Sequence, residues 1–416
     1  MRKYDLLRTF TLTAAALAVV GAGGLEAGLP QVRFAAKPSQ TVLVVVDGLS
    51  YKAWDKMDLP VMEEMIASGA LVKQVFLPPA AHPHEGPYAK LHTCSIPNPI
   101  LMAGTIFIDE RTVYFNEQFF PKLTTAFAVN AIDYRSLLRS YHYVYQKAGQ
   151  DAEAMQMGLK FMEMGPPAFM SVHLQDSGEG GVASMRGAAD APWKNDIWHP
   201  ESPYRRNLTT ADRLLGEFVQ GLAKLGLLET TAFVVVGDHG QADGGWHPLE
   251  LWDPAITTAV LWGAGIAPRA VIDYAELIDI GPTICVLMGV APPATALGTI
   301  IGEAIPGDLI VERPGPRPRL QETMNAQFRD FRALKAELDA FLVGTDSPAK
   351  GWLYARFNTM VRNFYGIERF IEWPRFKTVE ELVEQNAAAL KNLQAFSVEV
   401  LPARPGTAGQ EYRPRA

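Results

Sequence analysis

The fold is indicated most clearly by a stretch near the start of the chain that reads TVLVVVDG, residues 41–48. Five of its first six residues are Val or Leu, which is the pattern of a strand buried on both faces of a parallel sheet. Two later stretches have the same character, AFMSVHLQD at residues 168–176 and TAFVVVGDHG at residues 231–240. Helical patterns separate them. The sequence therefore predicts an α/β protein with a mostly parallel central sheet between layers of helices.

The composition limits the class of protein. The chain has 416 residues, of which 48% are hydrophobic and 20% charged, and these values are typical of a globular protein rather than a disordered one. The formal net charge of −7 argues against a protein that coats nucleic acid. The two cysteines, Cys94 and Cys285, exclude a disulfide scaffold and a cysteine-rich zinc site, and they leave a single bridge open.

The chain divides into three predicted parts. Residues 1–35 form a leader, residues 36–305 form the α/β domain, and residues 306–416 form a linker and a helical C-terminal extension. Within the α/β domain a further strand is predicted at 257–264, and helices are predicted at 50–67, 135–147, 151–164, 203–225 and 274–290. In the extension, helices are predicted at 318–343 and 378–395.

The first residues have the layout of an export signal. Residues 1–8 carry positive charge and residues 9–24 carry none, and small residues follow them. The uncharged stretch is short for a membrane span, which needs about 20 residues. We therefore expect a periplasmic or secreted protein. An uncleaved N-terminal anchor that leaves the body outside the cytoplasm is the alternative, and a buried N-terminal helix is the third.

Carboxylates follow three of the predicted strands. Asp47, Asp176 and Asp238 each come just past a buried strand, and the carboxyl ends of parallel strands meet at the edge of the sheet where ligands bind. Three carboxylates at one edge repel each other unless a cation lies between them. The sequence therefore predicts a metal site at this edge.

The stretch GDHGQADGGWH, residues 237–247, adds imidazole ligands. Asp238 and His239 stand side by side at the end of a strand, and His247 lies on a glycine-rich loop that can fold back to them. Carboxylate and imidazole ligands together suit Zn²⁺. A tight turn without a metal is the alternative for this stretch taken alone.

Several motifs resemble the alkaline phosphatase superfamily. VVDG at 45–48 is similar to its first metal-ligand motif, and GDHG at 237–240 is similar to its signature Ser-Asp-His-Gly. LWGAGI at 261–266 and IGPTI at 280–284 resemble later segments of the same domain. The resemblance covers residues 40–305, and it is nearest to type I phosphodiesterases/nucleotide pyrophosphatases and to the phosphoethanolamine transferases of GPI-anchor synthesis.

The resemblance implies a Ser or Thr nucleophile that also contacts a metal. The matching stretch is HTCSIPNP, residues 92–99, and Ser95 stands at the position of the phosphodiesterase nucleophile. Thr93 and Cys94 are the alternatives. A helix at about 97–104 would point its first amide groups at a phosphate. In this interpretation the metal activates the hydroxyl group of Ser95.

The resemblance also implies two divalent metal ions, for which Zn²⁺ is the expected element. Asp47, Asp238 and His239 would hold one ion, Asp176, His199 and His247 would hold the other, and Ser95 would also contact a metal. The family pattern places a His four residues after the second Asp, but residue 180 is Gly here. We therefore infer an insertion between Asp176 and His199, with Glu179 as the alternative ligand.

The predicted function is that of an exported phosphodiesterase whose substrate is a phosphate ester. A sulfatase is an alternative, although residue 99 is Pro where the sulfatase motif has Arg. A phosphoethanolamine transferase and a metal-binding surface protein without turnover are the other two. An extra loop at 78–87 contains His82 and His84, which could contact substrate or metal.

Overall fold

The computed structural model describes most of the chain between residues 28 and 401. The residues that it leaves out within these limits are 78–84, 96–113, 121, 133, 135–136, 249–250, 308–318, 345–347, 367–368, 370–371, 373–374 and 377–378. The predicted export signal, the predicted helix at 97–104 and both histidines of the extra loop therefore lie outside the described residues. Across the described residues, none of the helices combines the length and the apolar character that crossing a membrane requires.

A single sheet forms the centre of the α/β part. Its strands in the described part of the chain are β1 (Gln40–Val46), β2 (Ala70–Phe76), β3 (Thr125–Val129), β4 (Tyr143–Gln146), β5 (Phe169–Leu174), β6 (Thr231–Gly237), β7 (Ile256–Gly263), β8 (Ala270–Ile272) and β9 (Ala275–Glu276). They pair in the order β4-β3-β5-β1-β6-β7-β2-β8, and β9 also pairs with β2. The five strands from β4 to β6 run parallel, whereas β7 is antiparallel to both of its neighbours. The predicted mostly parallel sheet is confirmed.

Helices cover both faces of the sheet and form the C-terminal extension. They are α1 (Ala53–Lys56), α2 (Pro60–Ser68), α3 (Glu85–Thr93), α4 (Asp151–Met164), α5 (Asp176–Arg186), α6 (Pro203–Lys224), α7 (Ile280–Leu287), α8 (Arg319–Gly344), α9 (Lys350–Val361) and α10 (Val379–Val400). The fold class expected from the sequence, a sheet between helical layers followed by a helical extension, is therefore confirmed.

Burial on both faces explains why β1 is apolar throughout. Val42, Val44 and Val46 belong to a core that includes side chains of α2, α4 and α6. Leu43 and Val45 belong to the core on the opposite face, with side chains of α3 and α7. Successive side chains of a strand point to opposite faces, so a strand with helices on both sides needs apolar residues at every position.

The three C-terminal helices have a core of their own. Buried Phe, Leu, Val and Ala side chains from α8, α9 and α10 form a cluster separate from those of the sheet. A contact to the sheet domain comes from Arg329 of α8, whose guanidinium lies 4.5 Å from the centre of the Tyr274 ring. The extension is therefore a small helical unit that packs on the sheet domain.

Several predicted elements are wrong in detail. Residues 135–147 were expected to be a helix, but they contain strand β4, because the tyrosines at 141, 143 and 145 repeat every second residue. The helix expected at 50–67 is interrupted before Pro60, and the one expected at 274–290 is reduced to α7. Strands β2 and β3 and helices α3, α5 and α9 were not expected.

Asp212 of α6 gives the fold a testable pH dependence. Its carboxylate accepts hydrogen bonds from the N–H groups of Val61 (3.1 Å) and Met62 (2.9 Å) at the start of α2. Burial raises the pKa of Asp212 to about 6, so the folded chain binds this proton more tightly than the unfolded chain does. The contribution of Asp212 to the free energy of unfolding should therefore fall by roughly 1 kcal/mol per pH unit between about pH 4 and 6, and level off above.

The measurement compares urea unfolding of the parent and of Asp212→Asn at pH 4.5, 5.5 and 7. We expect the stability of the parent relative to the variant to decrease over this range. Asp190→Asn, which changes an exposed carboxylate, is the control and should show no such trend. A difference between parent and Asp212→Asn that does not vary with pH would contradict the assignment.

Candidate metal centre

Strand register brings Asp47 and Asp238 together. Val46 of β1 is paired with Gly237 of β6, so the next residues, Asp47 and Asp238, leave neighbouring strands side by side. The Asp238 Oδ1 atom accepts hydrogen bonds from the N–H of Gly48 (3.0 Å) and from the N–H of His239 (2.9 Å). Both carboxylates are buried, with 2% exposure for Asp47 and none for Asp238.

His239 completes a group of three potential ligands. Its Nδ1 atom lies 2.7 Å from the carbonyl oxygen of Gly240, and because a carbonyl only accepts, Nδ1 carries the hydrogen. In the neutral ring the lone pair is then on Nε2. This atom lies 3.4 Å from Asp47 Oδ1 and 3.4 Å from Asp238 Oδ2. The imidazole therefore presents a potential ligand atom to two buried carboxylates.

The spacing of these atoms fits a metal ion. One ligand atom from each of Asp47, Asp238 and His239 lies within 4.8 Å of the others. Zn²⁺ binds oxygen and nitrogen at about 2.0–2.1 Å with tetrahedral geometry, which separates neighbouring ligand atoms by about 3.3–3.4 Å. Two buried carboxylates around a neutral imidazole also need a positive charge. The residues therefore suit a single divalent ion in both geometry and charge.

Asp176 lies outside this group. Leu174 is paired with Val46, so the residue beside Asp47 is Gln175, and Asp176 comes one position later as the first residue of α5. The Asp176 carboxylate accepts hydrogen bonds from the side-chain amide of Asn130 (3.1 Å) and from the N–H of Asp151 (3.0 Å). It therefore faces the start of α4.

Asp176 belongs to a hydrogen-bond network at the first turns of α4 and α5. The Asp151 carboxylate accepts hydrogen bonds from the N–H groups of Gln175 (2.7 Å) and Asp176 (3.1 Å) and from the amide of Asn130 (2.9 Å). Burial raises the pKa of Asp151 to about 7, and the charge of Asp176 contributes to this rise. Burial also raises the pKa of Asp176. These contacts tie the ends of β3 and β5 to the first turns of α4 and α5.

The remaining candidates for the second ion are also apart from the group. The His199 ring is half-buried, and its Nδ1 atom accepts a hydrogen bond of 3.2 Å from the N–H of Glu201. Glu179, the alternative ligand, is an exposed residue of α5. The segment between Asp176 and His199, inferred to be an insertion, contains α5. In the described part of the chain, neither residue joins a ligand group of three or more.

His247 lies beside the centre. Its ring stacks on that of His239 with the ring centres 4.4 Å apart, and it is 1% exposed. The Trp246 ring stacks in turn on His247 at 4.6 Å and is 39% exposed. The glycine-rich loop therefore folds back to the centre as expected, and it carries a partly exposed aromatic ring on the outer side of the two imidazoles.

The nucleophile candidates lie at the end of α3. The Thr93 hydroxyl is fully buried and donates a hydrogen bond of 2.7 Å to the carbonyl oxygen of Ala89 within the helix. Cys94 is buried, with its Sγ atom against Gly281 of α7. Ser95 follows the helix and is half-buried. Cys94 and Cys285 are both buried and are not joined to each other.

Gly178 packs against the candidate centre, and sequence reasoning missed this position. A Cβ atom built on Gly178 would lie 2.0 Å from Asp47 Oδ1, so the first turn of α5 packs directly on this carboxylate. The Ser177 hydroxyl also donates a hydrogen bond of 2.6 Å to the carbonyl oxygen of Asp47. The signal in the sequence is the run Gly178-Glu179-Gly180-Gly181, in which glycine is frequent enough to indicate close backbone packing.

Comparisons with known proteins agree on the fold. A family model described as Sulfatase matches residues 102–290, which include Asp238, His239 and His247 but not Asp47 or Ser95. No curated protein is significantly similar in sequence. The lipoteichoic acid synthase LtaP from Listeria monocytogenes has 15% identity and a TM-score of 0.50, over 64% of this chain and 74% of that chain.

Two further solved structures are similar. BT4656, determined with its substrate D-glucosamine-2-N,6-O-disulfate, has 13% identity and a TM-score of 0.50, over 68% of this chain and 85% of that chain. The phosphonate monoester hydrolase SpPMH from Silicibacter pomeroyi has 14% identity and a TM-score of 0.48, over 68% and 82% of the two chains. Enzymes of the alkaline phosphatase superfamily hydrolyse or transfer phosphate or sulfate esters and depend on metal ions. The family match and the solved structures therefore agree with an alkaline phosphatase-like fold for this chain.

Proposed function

We propose that the chain is a metal-dependent phosphoesterase that acts on phosphate diesters with Ser95 as its nucleophile. The observation that carries the proposal is the spacing of Asp47, Asp238 and His239 at the carboxyl end of the sheet, where His239 Nε2 lies 3.4 Å from one oxygen of each carboxylate and the three ligand atoms lie within 4.8 Å of one another. The preference for a diester comes from the stretch Ser95-Ile96-Pro97-Asn98, which resembles the nucleophile motif of phosphodiesterases.

The roles of the residues follow from their contacts. A bound Zn²⁺ would supply a Lewis acid that lowers the pKa of a hydroxyl and offsets charge on phosphoryl oxygens. The N–H groups of Gly48 and His239 hold the Asp238 carboxylate in place, and Gly240 holds the His239 ring. Ser95 Oγ would form a bond to phosphorus while the bond to the leaving alcohol breaks, and water would then release the phosphoryl group from Ser95.

Export of the protein is part of the proposal. It rests on the charged residues 1–8 and the uncharged residues 9–24, which resemble a signal sequence. Fusion of residues 1–35 to a reporter that is active only outside the cytoplasm tests it. Retention of the reporter inside the cell would contradict export.

Removal of the Ser95 hydroxyl and removal of the Thr93 hydroxyl should have different effects on diester hydrolysis. Ser95→Ala should lower diester hydrolysis by more than about 100-fold, because the nucleophile is lost. Thr93→Val should keep hydrolysis within about threefold of the parent, because the Thr93 hydroxyl is bonded inside its helix. The readout is the rate of p-nitrophenol release from bis-p-nitrophenyl phosphate. The reverse pattern would move the nucleophile to Thr93.

The central test uses the same assay on protein depleted of metal by a chelator. We expect hydrolysis of the diester to stop on chelation and to return when Zn²⁺ is added. A protein that binds metal but hydrolyses no ester would contradict the proposal and favour a binding role.

A sulfate ester hydrolase is the second candidate. It is favoured by the match of residues 102–290 to the Sulfatase family model, and it is disfavoured by Pro99, which stands where the sulfatase motif has Arg. p-Nitrophenyl sulfate and p-nitrophenyl phosphate should be measured beside the diester. Faster turnover of the sulfate ester would replace the diester assignment.

A further inference from the structure

We propose that Cys94 is a positioning residue, held by α7 and by residues 297–298 in a left-handed turn that directs Ser95 away from the end of α3. The inference rests on the proposed function only in taking Ser95 as the nucleophile. It also gives a role to IGPTI at residues 280–284, a motif for which the proposed chemistry has no use.

The backbone of Cys94 turns the chain at the end of α3. Its N–H donates a hydrogen bond of 2.8 Å to the carbonyl oxygen of Lys90, and its φ angle is +56°. Helices commonly end in this left-handed conformation, but glycine usually occupies the position. A residue with a Cβ atom costs roughly 1–2 kcal/mol there, so other contacts must hold Cys94 in the turn. The residue that leaves the turn is Ser95.

The side chain of Cys94 lies in a slot that Gly281 of α7 leaves open. A Cβ atom built on Gly281 would lie 2.3 Å from Cys94 Sγ and 2.9 Å from the Phe115 ring. Cys94 and Gly281 are both buried, so neither relieves such a contact by turning toward solvent. The backbone of α7 therefore fixes where the thiol group lies, and with it the turn.

The carbonyl group of Cys94 is held by a second segment. It accepts hydrogen bonds from the N–H groups of Leu297 (2.7 Å) and Gly298 (3.0 Å). Residue 298 has to be glycine, because a Cβ atom there would clash with the carbonyl oxygen of Ile278. The accepting oxygen belongs to the peptide group that joins Cys94 to Ser95, so two donors on this oxygen fix the orientation of that peptide.

The second segment is itself joined to the start of α7. The Asp279 carboxylate accepts hydrogen bonds from the N–H and from the hydroxyl of Thr299. The Thr283 hydroxyl donates a hydrogen bond of 2.7 Å to the Asp279 carbonyl and accepts one of 3.0 Å from the N–H of Ile301. Helix α7 therefore supplies the slot for the thiol and also anchors the segment that holds the carbonyl group.

Gly281→Ala tests this arrangement, because the added methyl group takes the place of Cys94 Sγ. A displaced turn misdirects the Ser95 hydroxyl, so we expect kcat for bis-p-nitrophenyl phosphate to fall by about 10–100-fold. KM should stay within about twofold of the parent, and zinc content should not change. Cys94→Ala should lose less activity. The double variant should match Cys94→Ala, because the methyl group then fills the space of the thiol.

Thiol labelling reports the same displacement without any turnover. Cys94 and Cys285 are both buried, so N-ethylmaleimide should label both slowly in the folded parent. In Gly281→Ala we expect labelling of Cys94 to be at least about tenfold faster, with Cys285 at the parent rate, as peptide mass spectrometry measures. Gly158→Ala in α4 is the control, because the atom nearest to its added methyl group would lie 3.3 Å away, and both readouts should stay at the parent level.

Activity in the double variant as low as in Gly281→Ala would overturn the proposal, since the loss would then not act through Cys94. Equal acceleration of labelling at both cysteines would also overturn it, because the whole domain would have loosened. Abolished hydrolysis in Cys94→Ala would overturn it and move the nucleophile to Cys94. Hydrolysis at the parent rate in Gly281→Ala would contradict this proposal alone. A parent that hydrolyses no ester would contradict the proposed function alone, and labelling would still show whether Gly281 fixes Cys94.

Discussion

Asp238→Asn should remove the bound metal and lower ester hydrolysis by more than about 100-fold, since even residues that only support metal ligands contribute about 10–100-fold. The Asn side chain keeps an oxygen that can accept the N–H groups of Gly48 and His239. It loses the negative charge, and it places an amide group where Asp238 Oδ2 now faces His239 Nε2. The expected loss is therefore one of metal binding and not of folding.

Asp243→Asn is the matched control for this prediction. Asp243 lies five residues further along the same loop, its side chain is 55% exposed, and it forms an ion pair of 3.1 Å with Lys52. Exposed ion pairs contribute at most about 1 kcal/mol, so metal content and activity should change little. Thermal unfolding of the metal-free proteins tests the fold. If Asp238→Asn binds zinc as the parent does, Asp238 is not a ligand.

Gly178→Ala should also impair metal binding, although residue 178 contributes no ligand. The added methyl group would lie 2.0 Å from Asp47 Oδ1, and the carboxylate is buried, so either the carboxylate or the first turn of α5 must move. Overpacking of this kind costs about 1–3 kcal/mol. We expect zinc affinity to fall by about 10–100-fold, as when other groups that position ligands are changed.

The control for Gly178→Ala is Gly351→Ala in α9. Gly351 is also a helical glycine, but nothing lies within 4 Å of the position that its Cβ would take. Alanine there should leave zinc affinity unchanged and favour the helix slightly. Competition with a zinc-sensitive dye measures both affinities. Equal affinity in the two variants would mean that α5 does not constrain Asp47.

The central strands could be predicted because they are buried on both faces. The stretches that form β1, β5 and β6 are short, mostly apolar and followed by a carboxylate, and this pattern indicates a buried strand. Strand β2 was missed because it contains Lys73 and Gln74, which are exposed and half-buried beside the irregular pairing with β7. Helix α5 was missed because glycines at 178, 180 and 181 disfavour a helix. In the structure, Gly180 and Gly181 are required by close contacts with Pro203 and Gln241.

The metal centre could be predicted only in part. Asp238 and His239 are adjacent in sequence, and Asp47 follows the neighbouring strand in register, so these three could be placed together. The direction of Asp176 could not be predicted, because a shift of one residue moves a side chain to the other face of a sheet. Sequence spacing does not show such a shift. The two-ion site remains a prediction from family motifs.

The pairing of β1 with β6 has a consequence for the order in which the protein matures. Gly48 and Asp238, which are joined by a hydrogen bond, are 190 residues apart in the chain. During synthesis Asp47 is made long before its partners, and contacts of such separation form late because closing the intervening loop is slow. A nascent chain that has not yet reached residue 239 cannot assemble the three ligands. Capture of an ion by these three residues would therefore be a sign that β1 has paired with β6.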